Sequence, residues 1–308
     1  MRAPFTWVIE VTSQEILSGG GDSRRITPAC ERDRRRAARP WGIMANVVAT
    51  VALMNAKGGV GKTTLTLGLA SAAQHAGLRV LVVDMDPQSA ATWALGLDPG
   101  APEGPTTSDL LAPTRRGPGG AAAARRESAW GPAVSVVPAS AALQAHEAPQ
   151  GSGAALRLRR ALTGATEDVD LVLIDCAPSL GNLTVNALAA SSHALVVVEP
   201  AALSLRAIGA AVDLVDEVWD QHHPELDLAG VVVNRVPGVS AEADRRYDEL
   251  VRSVGRKAVW EPVVPQRVVI TQAVADRMPL HAYGHRAAEV TAVFDRLLAK
   301  LRRVTRGR

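Results

Sequence analysis

Two lysines, Lys57 and Lys62, lie five positions apart in one glycine-rich stretch, NAKGGVGKTT. Glycines at 58, 59 and 61 let backbone N–H groups turn inward onto phosphate oxygens with no side chain in the way, and Val60 completes the loop. The sequence behind Lys62 reads as a helix, whose positive end would face the same anion. Lys62 is placed to reach the β- and γ-phosphates of a nucleotide, the Thr63 hydroxyl to ligate Mg²⁺, and Thr64 to bond the α-phosphate. The strict pattern G-x-x-x-x-G-K-[ST] fails at its first position, where Ala56 stands and Lys57 follows. The bland alternative is a glycine-rich turn that binds nothing.

Three acidic positions fit the same chemistry. Asp175 ends the apolar run LVLID, and a carboxylate after such a run holds Mg²⁺ through water in nucleotide hydrolases. Asp84 and Asp86 end RVLVVDMD, at the carboxyl edge where ligands of parallel sheets bind. An Asp at a strand end can equally be a helix cap. Asn234 closes VVVN, and its amide can donate and accept together, as an adenine edge requires. Pro265 and the loop after it are expected to pack on the adenine as well. For both residues, capping or turn duty is the alternative.

These residues need a scaffold of strands and helices. The runs Val47–Leu53, Arg79–Asp84, Asp170–Asp175, Ala194–Pro200 and Ala229–Val236 are nearly continuous apolar segments. Helical stretches, Leu203–Trp219 and Ala241–Val254 among them, separate them. Strands apolar throughout and alternating with helices predict an α/β fold: a mostly parallel, doubly wound sheet with helices on both faces. VSVVPAS adds another strand. Pro99 to Ser128, rich in Gly, Pro, Ala and Arg, is expected to be a mobile surface insertion. Residues 1–43 are Arg-rich without apolar periodicity and read as a disordered extension, with Met44 a sensible first residue and 44–308 the folded domain. A basic arm is the alternative for that extension.

Composition narrows the function classes. The 308 residues are 47% apolar but only 3% aromatic, so the core must be built from Ala, Val and Leu. The net charge of +3 does not argue for nucleic acid, although the pI of about 9.2 permits it. Of only four lysines, two sit in the glycine loop, where a compact point charge suits phosphate. Cys30 and Cys176 share no metal or disulfide spacing, which fits a reducing cytoplasm, and Cys176 reads as a small buried residue. No apolar run reaches the roughly 18 residues of a spanning helix, and no secretory signal opens the chain.

The loop with its extra lysine resembles the deviant Walker A box of the ParA/MinD family of P-loop ATPases. The resemblance continues in order through VVDMDPQSAATWALG, VVPASAALQAHE, LVLIDCAPSLGNLTVNAL and VVPQRVVITQAVADRMPLHAYGHRAAEV, over nearly all of 46–302. It implies that Asp86 orients the attacking water, that Asp84 lies near the metal's water shell, and that Pro87–Gln88 and 176–181 are switch segments. It implies ATP and Mg²⁺ as cofactors. In this family the extra lysine, here Lys57, crosses the interface of an ATP-sandwich homodimer and meets the partner's phosphates. A surface lysine near its own subunit's phosphates is the alternative.

Three uses of such a switch remain open. A partition ATPase would bind DNA without sequence preference and release it when a ParB-like or other small partner stimulates hydrolysis. Its candidate basic patch is Arg245, Arg246, Arg252, Arg256 and Lys257, although a solvated helix face is the alternative. Two arginines typical of that type are missing: PGVS replaces one, and Val269 stands for the other beside Arg267. A MinD-like ATPase would instead place the amphipathic Val293, Leu297, Leu298 and Leu301 on a membrane, unless these belong to the last helix of the fold. A biosynthetic amide-forming synthase would need an appended substrate domain, and the chain ends where the P-loop fold is complete. The partition type is the expectation, with a cytoplasmic or nucleoid location.

Overall fold

The computed structural model describes residues 48–113, 118–149 and 151–306; the extension expected at 1–43 lies outside them. The chain opens with β1 (Ala49–Met54), α1 (Lys62–His75) and β2 (Val80–Met85). Three short helices follow, α2 (Ala90–Ala94), α3 (Thr107–Leu111) and α4 (Gly120–Ala124), then β3 (Arg126–Ser128) and β4 (Gly131–Val137). The second half alternates α5 (Arg157–Leu162), β5 (Leu171–Cys176), α6 (Asn182–Ala189), β6 (His193–Val198), α7 (Ser204–Gln221), β7 (Asp227–Val233), α8 (Ala241–Val254) and β8 (Val259–Trp260). Helices α9 (Val268–Ala275) and α10 (Ala288–Arg306) end it.

The strands form one sheet in the order β3-β4-β2-β5-β1-β6-β7-β8. Among the described residues, every strand pairing is parallel except β3 with β4 at one edge. Strand side chains alternate between faces, so each face carries its own core. Val51 and Leu53 of β1 face α1 and α10, while Ala52 and Met54 face the layer containing α6 and α7. The doubly wound expectation is met. With few aromatic residues to fill space, close backbone approach does part of the packing. Phe294 of α10 lies directly on Gly68 of α1, where an added Cβ would sit 2.1 Å from Phe294 Cε1. Val293, Leu297, Leu298 and Leu301 are buried in this layer, so α10 is part of the core and not a free amphipathic face. Among the described residues no helix is long and apolar enough to cross a membrane.

One expectation needs correction. Residues 100–104 are exposed, as a surface insertion would be, but from Thr106 on the described part of this segment is built into the fold. A reciprocal Thr106–Asp109 capping box starts α3, Leu110 and Leu111 are buried, and Ala121 and Ala124 of α4 join the same core. Arg126 then fastens the edge through bonds to the Glu103 carbonyl. Each element is too short for periodicity to show, and the composition hid the cap.

Candidate functional site

The site lies at the carboxyl edge of β1, β5 and β2, the central strands of the sheet. Asn55, the first residue after β1, is buried; its Nδ2 donates to the Val197 carbonyl at 2.6 Å, and its Oδ1 accepts the Lys57 N–H at 2.8 Å. The loop therefore starts from a fixed point between β1 and β6. Gly59 and Gly61 hold φ of 80° and 88°, the left-handed region that a side chain resists. At Gly61 space is closed as well, since a Cβ would meet Asn234 Nδ2 at 2.1 Å. Gly58 is exposed and faces the second expected switch, where a Cβ added to it would lie 3.6 Å from Pro178 Cβ. Val60 is buried beneath the loop, and Thr64 sits at the first turn of α1, half-buried.

Lys62 folds back over the loop: its Nζ donates to the Lys57 carbonyl at 3.3 Å, and the residue is only 6% exposed. Burial lowers its pKa, opposed by the nearby Asp175, Cys176 and Asp86. An ammonium set against the glycine loop with so little solvent is suited to an anionic ligand. Beside it, the Thr63 hydroxyl donates to Asp175 Oδ2 at 2.6 Å, and the Thr66 hydroxyl lies 3.0 Å from Asp175 Oδ1. Hydroxyl and carboxylate oxygens in contact form the hard-oxygen donor set that Mg²⁺ prefers. Asp175 is wholly buried, and desolvation, with the neighbouring Asp84 adding to it, pushes its pKa up to about 7. Such a carboxyl is poised to exchange its proton for a cation. The residues present thus fit a nucleotide phosphate with its metal.

The other acidic residues differ in their engagements. Asp84 pairs in register with Asp175 across β2 and β5. Its Oδ1 accepts the Asp86 N–H at 3.0 Å; its Oδ2 accepts the Thr92 N–H and hydroxyl at 2.8 and 2.7 Å. Burial raises its pKa to about 6. Asp84 therefore anchors α2 to the sheet, whatever else it does. Asp86 is 9% exposed and uses Oδ1 on the Gln88 N–H at 2.9 Å, which shapes the tight turn that ends at Ser89, itself at φ 55°. In the second expected switch, the Ser179 hydroxyl is buried without a hydrogen-bond partner, an arrangement that calls for an additional donor or acceptor. Cys176 is buried in the core, and burial pushes its thiol pKa up.

Asn234 has a role the sequence did not disclose. Its Nδ2 donates to the carbonyls of Val60 and Gly61 at 2.9 and 3.3 Å, so it braces the phosphate loop from behind. Pro265 stands beside it through its bridge to Val236. Glu199, which no sequence argument singled out, pairs with Lys57. The residues of the basic patch are largely compensated: Arg245 pairs with Glu242, Arg246 with Glu242 and Glu249 at 2.8 Å, and Arg256 with Glu261 at 3.4 Å. Arg267 pairs with Glu289 at 2.8 Å. Nearby, Val239 and Val268 are exposed to 99% and 73%.

The AAA domain family AAA_31 matches residues 48–228. The chromosome-partitioning ATPase Soj of Thermus thermophilus is 33% identical over 260 residues, 80% of this chain and 96% of that protein. Among solved structures, cobyrinic acid a,c-diamide synthase from Mycobacterium smegmatis with bound ATP analog and magnesium is 29% identical at a TM-score of 0.64, covering 75% of this chain and 92% of that one. The Cyanothece McdA(D38A)–ATP complex superposes at a TM-score of 0.73 over 83% and 97% of the two chains, with 20% identity. The glycine loop with its added lysine, the paired strand-end acids and these similarities together carry one conclusion: this chain belongs to the ParA/MinD family of P-loop ATPases.

Proposed function

We propose that the chain is an ATP-dependent dimerising switch that positions DNA or another cargo in the cytoplasm and hydrolyses ATP slowly until a ParB-like or other small partner stimulates it. The observation that carries the reading is the buried Lys62 side chain against the glycine loop, beside the Thr63–Asp175 pair, 2.6 Å apart. Gly58 to Gly61 and Thr64 would bind the phosphate chain, and Lys62 its β- and γ-oxygens. Thr63 and, through water, Asp175 and Asp84 would hold Mg²⁺, which supplies charge neutralisation across those oxygens. Asp86 would orient the attacking water. Asn234 and Pro265 would border the adenine, Asn234 while bracing the loop. Lys57 of a second copy would meet the developing charge on the phosphate, as an arginine finger does in trans.

The test is a pair of substitutions. Lys62→Ala should abolish ATP binding; unchanged turnover would refute the phosphate-loop assignment. Lys57→Ala should keep nucleotide binding and lose hydrolysis linked to dimerisation. ATP-dependent, salt-sensitive retention on DNA, absent with ADP, then distinguishes a DNA cargo from others. The similarity to the diamide synthase supports a second reading, ATP-driven amide formation. ATP turnover that requires a carboxylate substrate and an ammonia source would favour it over the switch.

A further inference from the structure

Lys57 stands at the exposed crest of the phosphate loop, and its ammonium is already engaged. It pairs with the Glu199 carboxylate at the C-terminal end of β6. Both residues are rooted in rigid backbone. The Lys57 N–H is held by Asn55, which is held in turn by the Val197 carbonyl two residues before Glu199. The Glu199 carbonyl accepts the Ser204 hydroxyl at 2.6 Å, which ties it to the first turn of α7. The side chains themselves remain accessible, 45% exposed for Lys57 and 26% for Glu199. Separating the pair therefore requires only side-chain rotation.

We propose that Glu199 is a positioning residue for Lys57: it holds the ammonium within its own subunit and yields it to the phosphates of a second, ATP-loaded copy. The inference rests on the reading of Lys57 as the lysine that acts in trans. A carboxylate carries one negative charge and a nucleotide polyphosphate several, so the exchange favours the dimer when the partner site holds ATP. Against an empty site the same move gives up Glu199 without return. Glu199 thereby makes association depend on nucleotide. It acts alongside the loop and touches no reacting atom.

An exposed ion pair shifts an equilibrium by about 1.4- to 5-fold, and a symmetric dimer separates two of them. Glu199→Gln should therefore tighten dimerisation about 2- to 30-fold with Mg²⁺ and a non-hydrolysable ATP analogue, and the Glu199→Asp variant should behave like the parent. Sedimentation of the full chain across protein concentrations reads the dimer constant. The coupling is isolated by repeating Glu199→Gln in a Lys57→Ala background, where the gain should vanish. A general loosening of the fold would act in both backgrounds, and the thermal melt of the monomer checks for it. An unchanged dimer constant in Glu199→Gln, or an equal gain in the Lys57→Ala background, overturns the proposal. If Lys57→Ala alone leaves both dimerisation and stimulated hydrolysis intact, the trans reading of Lys57 fails first, and the role of Glu199 falls with it.

Discussion

The buried carboxyl pair Asp84 and Asp175 predicts an unusual pH dependence of stability. Asp175 moves from 3.8 to about 7 on folding, chiefly because burial penalises its charged form and Asp84 repels it. The folded state therefore holds this proton more tightly than the unfolded chain. Its contribution to stability is fully present below about pH 4 and disappears as pH rises through about 7, the reverse of a salt-bridged aspartate. At about 1.4 kcal/mol per pH unit, the complete effect is about 4 kcal/mol, of which about 2.7 kcal/mol falls between pH 5 and 8. Asp84, raised to about 6, adds in the same direction, less than additively because the two carboxyls interact. His146 and His281, both lowered by burial, oppose it: their contribution is present above about 6.5 and is lost as pH falls. Asp175→Asn keeps one acceptor oxygen, for Thr63, and turns an amide N–H toward the Thr66 hydroxyl, which can donate to the Lys62 carbonyl at 3.1 Å instead; it removes the titration and leaves both histidines unchanged. Thermal melts of nucleotide-free parent and variant from about pH 5 to 8 should thus diverge, with the parent losing about 5–10 °C relative to the variant. Saturating Mg²⁺ and ATP should remove the divergence, since the bound cation takes the place of the proton. Parallel melting curves for parent and variant across this range would refute the argument.

Two other substitutions test the architecture around the loop. Asn234→Ala takes the Asn234 donor from the Val60 carbonyl, while the Gly61 carbonyl keeps the Leu65 N–H at 3.0 Å, and should cost about 1–3 kcal/mol in a denaturant melt. If bracing is its main duty, affinity for ATP and GTP should fall together; selective loss of ATP preference would assign Asn234 to the base instead. Gly68→Ala forces a Cβ against the buried Phe294 ring, and overpacking should outweigh the gain in helix propensity, for a net loss of about 1–2 kcal/mol. Phe294→Leu in the same chain should recover part of that loss, and a stabilised single variant would show that α1 and α10 separate more easily than their contact suggests.

Central strands are the easiest features to read because burial on both faces leaves an uninterrupted apolar run, as in LVLID and ALVVVEP. The boundaries expected for α8, Ala241 to Val254, are those observed. The phosphate loop is legible for a related reason: its chemistry is compressed into ten consecutive residues. What stays hidden depends on pairs distant in the chain. Glu199 lies 142 positions from Lys57, and Asn234 lies 174 from Val60. No periodicity connects such residues; only the strand order, with β6 beside β1 and β7 beside β6, brings them to one edge. Asp84 is hidden differently, because its partner Thr92 is close in sequence but belongs to a helix of five residues, too short to announce itself.

The surface follows another logic again, and this bears on the cargo. Counting arginines in ADRRYDELVRSVGRK suggests a basic patch, but the same helix supplies Glu242 and Glu249 at the spacings where they reach Arg245 and Arg246. Arg267, two positions before Val269, is likewise taken by Glu289. Val239 and Val268 next to it are exposed valines. A nucleotide site can be inferred from composition because phosphate demands a fixed set of donors at a fixed spacing. A cargo surface depends on charge left over after neighbours have paired, and that remainder exists only in the folded chain.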